Sequence, residues 1–315
     1  MEFETGLDMR DAPNGGAPAR HGEPRVGLTR ASYDDTRPGT FAHGLSGHPL
    51  MTLGSLAELA LRRPANRVRV YDADTVTAGE SIELVADKHG TARSLEEMVR
   101  AIEDNRTYLF IMNVETDPVY GPLVRELLEE MKQSLRAHGQ QMTRGWAWVF
   151  ISAPNTVTPY HRDHEQTCLF QLQGQKVVHT WNAHDTEVCS VDENEHFHSQ
   201  WSLSKTVLKP EYAGRDRPFA LEPGQALYIP FSAPHWVQNG PATSVSFSVT
   251  FATDKTDSIE NAHKMNAMLR RRGLSPKPIG TSKLRDAAKD RAFRGIEHVR
   301  GILRRGRPGP STTRY

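Results

Sequence analysis

The chain has 315 residues, of which 37% are apolar and 24% are charged, and its mean hydropathy is −0.58. This length leaves room for one large domain or two modest ones, with a real hydrophobic core. The longest apolar runs, at 108–112 and 146–151, are far shorter than the roughly 18 residues of a membrane-spanning helix, so no membrane span is expected. The N-terminus has no apolar signal segment and two cysteines form no disulfide framework, so we expect a cytoplasmic protein.

The net charge of +1 conceals an asymmetry along the chain. Residues 264–315 contain 15 Lys and Arg against 3 Asp and Glu, a net charge of +12. The remaining residues carry 24 basic and 35 acidic side chains, a net charge of −11. The sequence therefore predicts an acidic body with a basic tail. Nucleic acid is a candidate partner of such a tail, but a solvated, mobile tail is the favoured interpretation.

The first 145 residues divide into a polar segment and a flank of mixed helices and strands. Residues 1–45 are rich in Gly, Pro, Arg and Asp and lack apolar periodicity, so we expect a disordered N-terminal segment. Between 46 and 145, helical and strand periodicities alternate, which predicts an N-terminal α/β flank. The predicted elements are a helix at 55–62, a strand at 67–71, a helix at 94–103, a strand at 108–114 and a helix at 122–138.

From residue 146 the pattern changes to short segments rich in β-branched and aromatic residues, separated by Gly, Pro and Asn turns. The predicted strands are 146–152, 167–173, 175–182, 225–230, 235–238 and 243–251. Gly174 separates two of them, as in a tight hairpin. Many short strands without intervening helices are typical of an antiparallel sandwich or a jelly-roll barrel. The sequence thus predicts a mainly β domain over residues 146–252.

After the strands the pattern becomes helical again. Ile259, Ala262, Met265 and Leu269 form one apolar stripe, and the residues beyond Gly273 are basic and interrupted by Pro and Gly. Residues 253–315 are therefore predicted to be a C-terminal helix followed by a basic tail. The stripe has to be covered, either by its own domain or by another subunit.

One pair of residues has the spacing of metal ligands. On an extended strand, His161 and Asp163 point to the same face and can offer a nitrogen and an oxygen to one ion. The pair alone has little weight, because a chain with 14 histidines contains about one such pair by chance, and His21 and Glu23 repeat the spacing in the segment predicted to be disordered. The position of His161 beside predicted strands favours it. His235, next to another predicted strand, is the candidate third ligand, and this set leaves open positions on a six-coordinate iron.

Lys176 begins the strand after the Gly174 hairpin, with Val178 and Thr180 on its predicted face. A lysine that points into an apolar barrel requires an anion nearby, such as the carboxylate of a dicarboxylic cosubstrate. The alternative is a lysine at the strand edge that faces solvent. The residues alone favour this alternative.

Three segments, in this order, resemble the JmjC (cupin-like) 2-oxoglutarate oxygenases. They are 155–163, which contains Thr158, His161 and Asp163; 170–176, which ends at Lys176; and 223–235, which ends at His235. The resemblance spans about residues 146–252, and the pattern is most similar to the asparaginyl hydroxylase that modifies hypoxia-inducible factor. It implies a double-stranded β-helix, that is, a jelly-roll or cupin-like JmjC barrel with flanking N-terminal and C-terminal helices.

The resemblance also implies a role for each matching residue. His161, Asp163 and His235 would bind Fe(II). Lys176 would pair with the distal carboxylate of the cosubstrate 2-oxoglutarate, and Thr158 would hydrogen-bond the same group.

Two positions depart from the pattern of the family. Thr167 stands where relatives often carry Asn, and Ser248 stands near the cosubstrate where Asn is common. These departures leave the metal site intact but weaken any transfer of substrate. Ser248 is a candidate cosubstrate-binding residue, and Tyr108 is the candidate for an aromatic residue that assists at the 2-oxoglutarate site.

The function that the resemblance implies is an Fe(II)- and 2-oxoglutarate-dependent dioxygenase that hydroxylates a substrate, or demethylates it through hydroxylation. The substrate is a protein, a peptide or a small molecule, and the sequence does not name it, because variable loops line the mouth of such a barrel. The alternative is a non-catalytic cupin-type binding or regulatory protein, associated with nucleic acid through its basic tail. The joint presence of three metal ligands and Lys176 favours the enzyme.

In the hydroxylases that the chain resembles, helices after the barrel pair two subunits. The resemblance therefore implies a homodimer through about residues 256–272. Packing of the same stripe against its own barrel stays open as the alternative.

Overall fold

The computed structural model describes residues 26–28, 33–72, 76–82, 94, 97 and 107–304. Contacts between Cα atoms divide the chain into two compact units. Unit 1 comprises Met1–Cys189 and Leu203–Thr253, and unit 2 comprises Ser190–Ser202 and Asp254–Tyr315. In the described part of the chain, no helix is long and apolar enough to cross a membrane.

In the part of the chain that the structure describes, unit 1 contains the strands and two of the α-helices. The helices of unit 1 are α1 (Leu53–Arg62) and α2 (Gly121–Arg136), and those of unit 2 are α3 (Val191–Gln200), α4 (Asp254–Arg270) and α5 (Lys283–Arg304). The strands are β1 (Gly39–Ala42), β2 (Val68–Asp72), β3 (Thr107–Ile111), β4 (Met142–Ser152), β5 (Val157–His161), β6 (Gln166–Gln173), β7 (Lys176–Thr180), β8 (Arg217–Leu221), β9 (Gln225–Ile229), β10 (His235–Asn239) and β11 (Ser244–Thr253).

The strands form two antiparallel sheets. The larger has the order β1-β9-β6-β11-β4-β3-β2, and the smaller has the order β5-β10-β7-β8. A cluster that joins Leu169 and Leu227 of the large sheet to Val178 and Val237 of the small one shows that the two sheets face each other. The predicted mainly β, cupin-like fold is confirmed.

Along β11, apolar and polar side chains alternate, so the large sheet has one face toward the main core and one face toward the small sheet. Phe247 and Val249 pack into the main core with residues of α1 and α2. Ser246, Ser248 and Thr250 alternate with them and point to the opposite face, between the two sheets. All three polar residues are buried. The inner wall of the sandwich therefore carries small polar side chains beside its apolar cluster.

The N-terminal segment differs from the prediction. Residues 1–25 and 29–32 lie outside the described residues, whereas residues 33–45 are ordered. Strand β1 pairs with β9, the Phe41 ring packs edge-on against Phe170 at 5.8 Å, and the Tyr33 hydroxyl donates to Gln166 at 2.8 Å. Residues 33–45 are ordered because a distant sheet edge supplies the partners that their own sequence lacks.

A second difference concerns residues 191–200. The sequence analysis predicts no helix here, because the residues are mostly polar, whereas the structure has helix α3. The Ser190 hydroxyl accepts the Glu193 backbone N–H at 3.2 Å and caps the helix. The predicted helix at 94–103 lies mostly outside the described residues.

Candidate active site

Strand pairing brings the three predicted metal ligands together. His161 is the last residue of β5 and His235 is the first residue of β10. The two strands are antiparallel, and His235 lies directly opposite His161. Asp163 follows in the turn after β5, so one turn and one strand pair build the cluster.

The ligand atoms of the three side chains lie within 4.8 Å of one another. His161 Nε2 is 3.8 Å from Asp163 Oδ1, and His235 Nε2 is 3.8 Å from Asp163 Oδ2. The centroids of the imidazole rings are 4.1 Å apart. Among the described residues, His161, Asp163 and His235 form the one group of three or more His, Cys, Asp or Glu side chains close enough together to hold a metal ion.

Backbone carbonyls set the tautomers of both histidines. His161 Nδ1 is 2.7 Å from the Pro159 carbonyl oxygen, and His235 Nδ1 is 3.0 Å from the Ala233 carbonyl oxygen. A carbonyl oxygen only accepts, so each Nδ1 carries the hydrogen. In the neutral ring, Nε2 then carries a free lone pair, and both Nε2 atoms face the Asp163 carboxylate.

The electrostatics favour the protonation states that bind metal. Burial, followed by the neighbouring His235, lowers the pKa of His161 to about 4. Burial raises the pKa of the Asp163 carboxyl, but His235 and His161 lower it by more, so the pKa lies below its ordinary value. Near neutral pH His161 is therefore uncharged and Asp163 is ionised. Two imine nitrogens and one carboxylate with open positions fit a ferrous ion.

Thr167 orients the acidic ligand. Its hydroxyl donates to Asp163 Oδ2 at 2.9 Å. Thr167 lies opposite Thr250 of β11, and Thr250 accepts the Trp148 indole N–H at 3.1 Å. The sequence marks Thr167 only as a departure from the family. Thr167 lies four residues after Asp163, and this spacing could have indicated their hydrogen bond if the turn between them had been known.

Lys176 is buried, and the preference for a solvent-facing lysine is wrong. Only 4% of the residue is exposed, because it lies between Asn239 of β10 and Leu221 of β8 in the small sheet. It shares the inner face with Val178, which belongs to the cluster between the sheets. Burial lowers the pKa of Lys176 to about 7. In the part of the chain that the structure describes, its ammonium has no hydrogen bond or ion pair.

Other polar groups complete this inner wall. The Tyr108 hydroxyl and Thr158 Oγ1 are 3.2 Å apart, and burial raises the pKa of Tyr108 to about 12. Tyr108 stacks on Tyr71 with ring centroids 5.0 Å apart. Asn239 Oδ1 is buried without a hydrogen-bond partner among the described residues. Sequence reasoning missed Tyr71 and Asn239, since neither lies in a recognisable motif.

Ser248 lies on the same inner face of the large sheet, opposite Trp148 and Leu169. It is buried, but its hydroxyl makes no hydrogen bond to another described residue. Its predicted role in binding the cosubstrate stays a prediction.

Comparison with protein families supports the same class. A family model described as a JmjC domain matches residues 126–259, a stretch that holds β4 to β11 and the two histidines and aspartate of the cluster. Over these residues the chain therefore matches a JmjC domain, in agreement with its motifs. The narrower resemblance to the asparaginyl hydroxylase stays a prediction.

Among solved structures, the chain is similar to the Escherichia coli ribosomal oxygenase YcfD. One crystal structure has 17% identity and a TM-score of 0.43, with 84% of this chain and 64% of that chain covered. YcfD with cobalt and 2-oxoglutarate has 17% identity, a TM-score of 0.43 and the same coverage of 84% and 64%. YcfD with cobalt and succinic acid has 18% identity, a TM-score of 0.42 and again 84% and 64%. The chain thus spans about 64% of the length of these chains.

Proposed function

We propose that this protein is an Fe(II)- and 2-oxoglutarate-dependent dioxygenase that hydroxylates an unidentified substrate, or demethylates it through hydroxylation of an N-methyl group. The observation that carries the proposal is the cluster of His161, Asp163 and His235, in which two free imidazole nitrogens face one carboxylate within a JmjC domain. These residues would hold three positions of a six-coordinate ion and leave the others open.

Bound Fe(II) and 2-oxoglutarate supply the oxidising chemistry: dioxygen converts 2-oxoglutarate to succinate and CO₂, and one of its oxygen atoms enters the substrate as a hydroxyl group. The chain provides the rest. His161 and His235 present their Nε2 atoms, Asp163 presents a negative charge, and Thr167 limits rotation of that carboxylate.

Lys176 is suited to bind the distal carboxylate of the cosubstrate. Thr180, which lies opposite His235, is four residues from Lys176 along β7, roughly 13 Å between Cα atoms. This separation gives a small dicarboxylate room to extend from the metal ligands to the ammonium. A carboxylate beside Lys176 favours its protonated form, and the ion pair is strong because it forms away from water. Thr158 and Tyr108 offer hydroxyls near the same end.

The proposal is tested by calorimetric titration of 2-oxoglutarate into protein loaded with Co(II), a redox-stable substitute for Fe(II). We expect binding that requires the metal, that is lost in Asp163→Ala, and that persists in Asp185→Ala, which removes a surface carboxylate paired with Arg215. Equal affinity of Asp163→Ala and the wild-type protein would show the assignment to be wrong. Binding without formation of succinate under Fe(II) and air would favour the non-catalytic cupin-type alternative.

We also propose a cytoplasmic location. Cys168 and Cys189 are both buried free thiols, a state that a reducing compartment maintains. Cell fractionation tests this proposal, and recovery of the protein in an oxidising compartment would contradict it.

A further inference from the structure

The outward face of α5 carries an apolar stripe. Ala288, Ala292, Gly295, Val299 and Ile302 follow one another at spacings of four and three residues, which places them along one side of the helix. All five are exposed, with exposed fractions of 55% at Val299 and 58% at Ile302. This spacing is that of the seam of a two-helix coiled coil.

The other side of α5 is held within unit 2. Asn261 of α4 donates its side-chain amide to Asp290 at 2.7 Å. The Lys264 ammonium of α4 lies over the Phe293 ring, 6.0 Å from its centroid. Helix α5 is therefore anchored on α4 by one face, while the stripe lies on the face that points away.

The charges beside the stripe have one sign. Helix α5 contains seven Lys and Arg against three Asp and Glu, a net charge of +4. All three acidic residues pair within the helix, Asp286 with Lys289, Asp290 with Arg294 and Glu297 with Arg300, and the Asp286 carboxylate also accepts the Gly280 backbone N–H.

Arg285 and Arg291 flank the stripe and are exposed. Among the described residues, neither has an acidic partner. A surface with an apolar centre and uncompensated cations on its margins is complementary to a surface with an apolar centre and acidic margins.

We propose that this face of α5 docks an acidic amphipathic helix of another protein. The apolar residues of the incoming helix cover the stripe, and its flanking carboxylates pair with Arg285 and Arg291. Ala288, Ala292 and Gly295 allow the two helix backbones to approach closely, and a Cβ placed at Gly295 meets no atom within 4 Å.

The same features disfavour three other occupants. A second copy of α5 brings cations against cations. A nucleic acid backbone gains nothing from covering Leu284, which is 86% exposed at the start of the helix. An anionic membrane gains little from the Ala and Gly at the centre of the stripe, because membrane-surface helices bury large apolar side chains.

The test uses the full chain and a fluorescent coiled-coil peptide with Leu at the seam and Glu at the flanking positions. Fluorescence anisotropy should show saturable binding that weakens as salt is added. A peptide with the same Leu seam and Lys flanks should bind at least about tenfold more weakly.

Two matched variants decide the site. Arg285→Glu with Arg291→Glu should weaken binding of the acidic peptide about tenfold or more, because both ion pairs become repulsive. Arg271→Glu with Lys277→Glu makes the same change of charge on exposed residues outside α5 and should retain binding. Ala292→Glu should also abolish binding, without loss of helix content by circular dichroism.

Four outcomes would overturn the proposal. The first is that the acidic peptide does not bind, and the second is that the Arg285→Glu/Arg291→Glu protein binds it equally well, which would leave this surface without a ligand. The third is tighter binding to single-stranded RNA or phosphatidylserine vesicles that these substitutions remove, which would assign the surface to a phosphate-bearing partner. The fourth is self-association in light scattering that the substitutions abolish, which would assign the surface to a second copy.

Discussion

At the scale of single residues, hydrogen bonds decide how the candidate metal-binding side chains are presented. The Pro159 and Ala233 carbonyls hold the two imidazoles in the same tautomer. The Thr167 hydroxyl holds the carboxylate between them. These hydrogen bonds fix the orientation of the three candidate ligands relative to one another.

Thr167→Val removes the hydroxyl but keeps the shape of the side chain. We expect the dissociation constant for Co(II) to rise about 10–100-fold, as is usual when a group that orients a metal ligand is lost. Isothermal titration calorimetry measures the affinity, and Thr167→Ser should restore it. Thr250→Val is the matched control, because Thr250 is buried on the adjacent strand but bonds Trp148 instead. Unchanged affinity of Thr167→Val would remove Thr167 from this role.

Lys176→Met should weaken binding of 2-oxoglutarate and at the same time stabilise the fold. The buried ammonium has no partner among the described residues, so its removal relieves a desolvation penalty. We expect Tm to rise by at least about 3 °C at neutral pH. Differential scanning fluorimetry measures Tm, and a lower Tm for the variant would contradict the assignment.

The gain in stability should depend on pH with a defined sign. Burial lowers the pKa of Lys176 from 10.5 to about 7, so between these pH values the unfolded chain binds one proton more than the folded chain. Wild-type stability therefore rises with pH across this window, relative to a variant without the amine. The advantage of Lys176→Met should be full at about pH 6 and nearly absent at about pH 10. An equal stability advantage of Lys176→Met at both pH values would show that burial does not lower the pKa of the Lys176 amine.

Single residues differ in how well the sequence predicts them. His161, Asp163 and His235 are predictable because metal binding requires particular residue types at a particular spacing. The burial of Lys176 is not, since it depends on two neighbouring strands that are far from β7 in sequence. The role of Thr167 depends on the turn that brings it back to Asp163.

At the scale of secondary structure, pairing between distant strands builds the site. The tight hairpin predicted at Gly174 is wrong, because β6 lies in the large sheet and β7 lies in the small one. Gly174 instead lies in the short connection between the two sheets, where its φ is +68° and a Cβ would lie 2.5 Å from the Thr243 carbonyl oxygen. A residue with a side chain is strained there. Strand β6 carries Thr167 and strand β7 carries Lys176, so this connection joins a strand that contacts Asp163 to the strand that carries the buried ammonium.

For α4 we propose the homodimer seam that the sequence predicts over residues 256–272. Ala262 is buried, while Ile259, Met265 and Leu269 are half-buried. Met265→Glu with Leu269→Glu should therefore convert a dimer into a folded monomer, because two carboxylates at a seam repel across it. Multi-angle light scattering measures the mass, and circular dichroism checks the fold. A wild-type monomer of 35.3 kDa, or unfolding of the double variant, would refute the seam.

Elements with their own periodicity are the ones that sequence predicts well. The helices expected at 55–62 and 122–138 correspond to α1 and α2. Strand β1 is missed because its pairing partner β9 lies far along the chain. Helix α3 is missed because its residues are mostly polar, and a cap at Ser190 begins it.

At the scale of the whole molecule, the candidate metal site and the cation-rich segment are separated along the chain. His161, Asp163 and His235 belong to unit 1, whereas residues 264–304, which are rich in Lys and Arg, belong to unit 2. The mainly β class is predictable from short β-branched segments. The division into units is not, because residues 190–202 leave the run of strands and join the C-terminal helices, which no local pattern indicates.

The most direct measurement of the central claim is the formation of succinate from 2-oxoglutarate by the purified full chain with Fe(II) and air. We expect release of succinate that stops when Fe(II) is chelated. It should fall to background in His161→Ala, which removes a metal ligand at the end of β5 and leaves the core packing in place. Binding of Co(II) should fall in the same variant, while circular dichroism stays unchanged. A His161→Ala protein that forms succinate at the wild-type rate would contradict the assigned metal site and the function built on it.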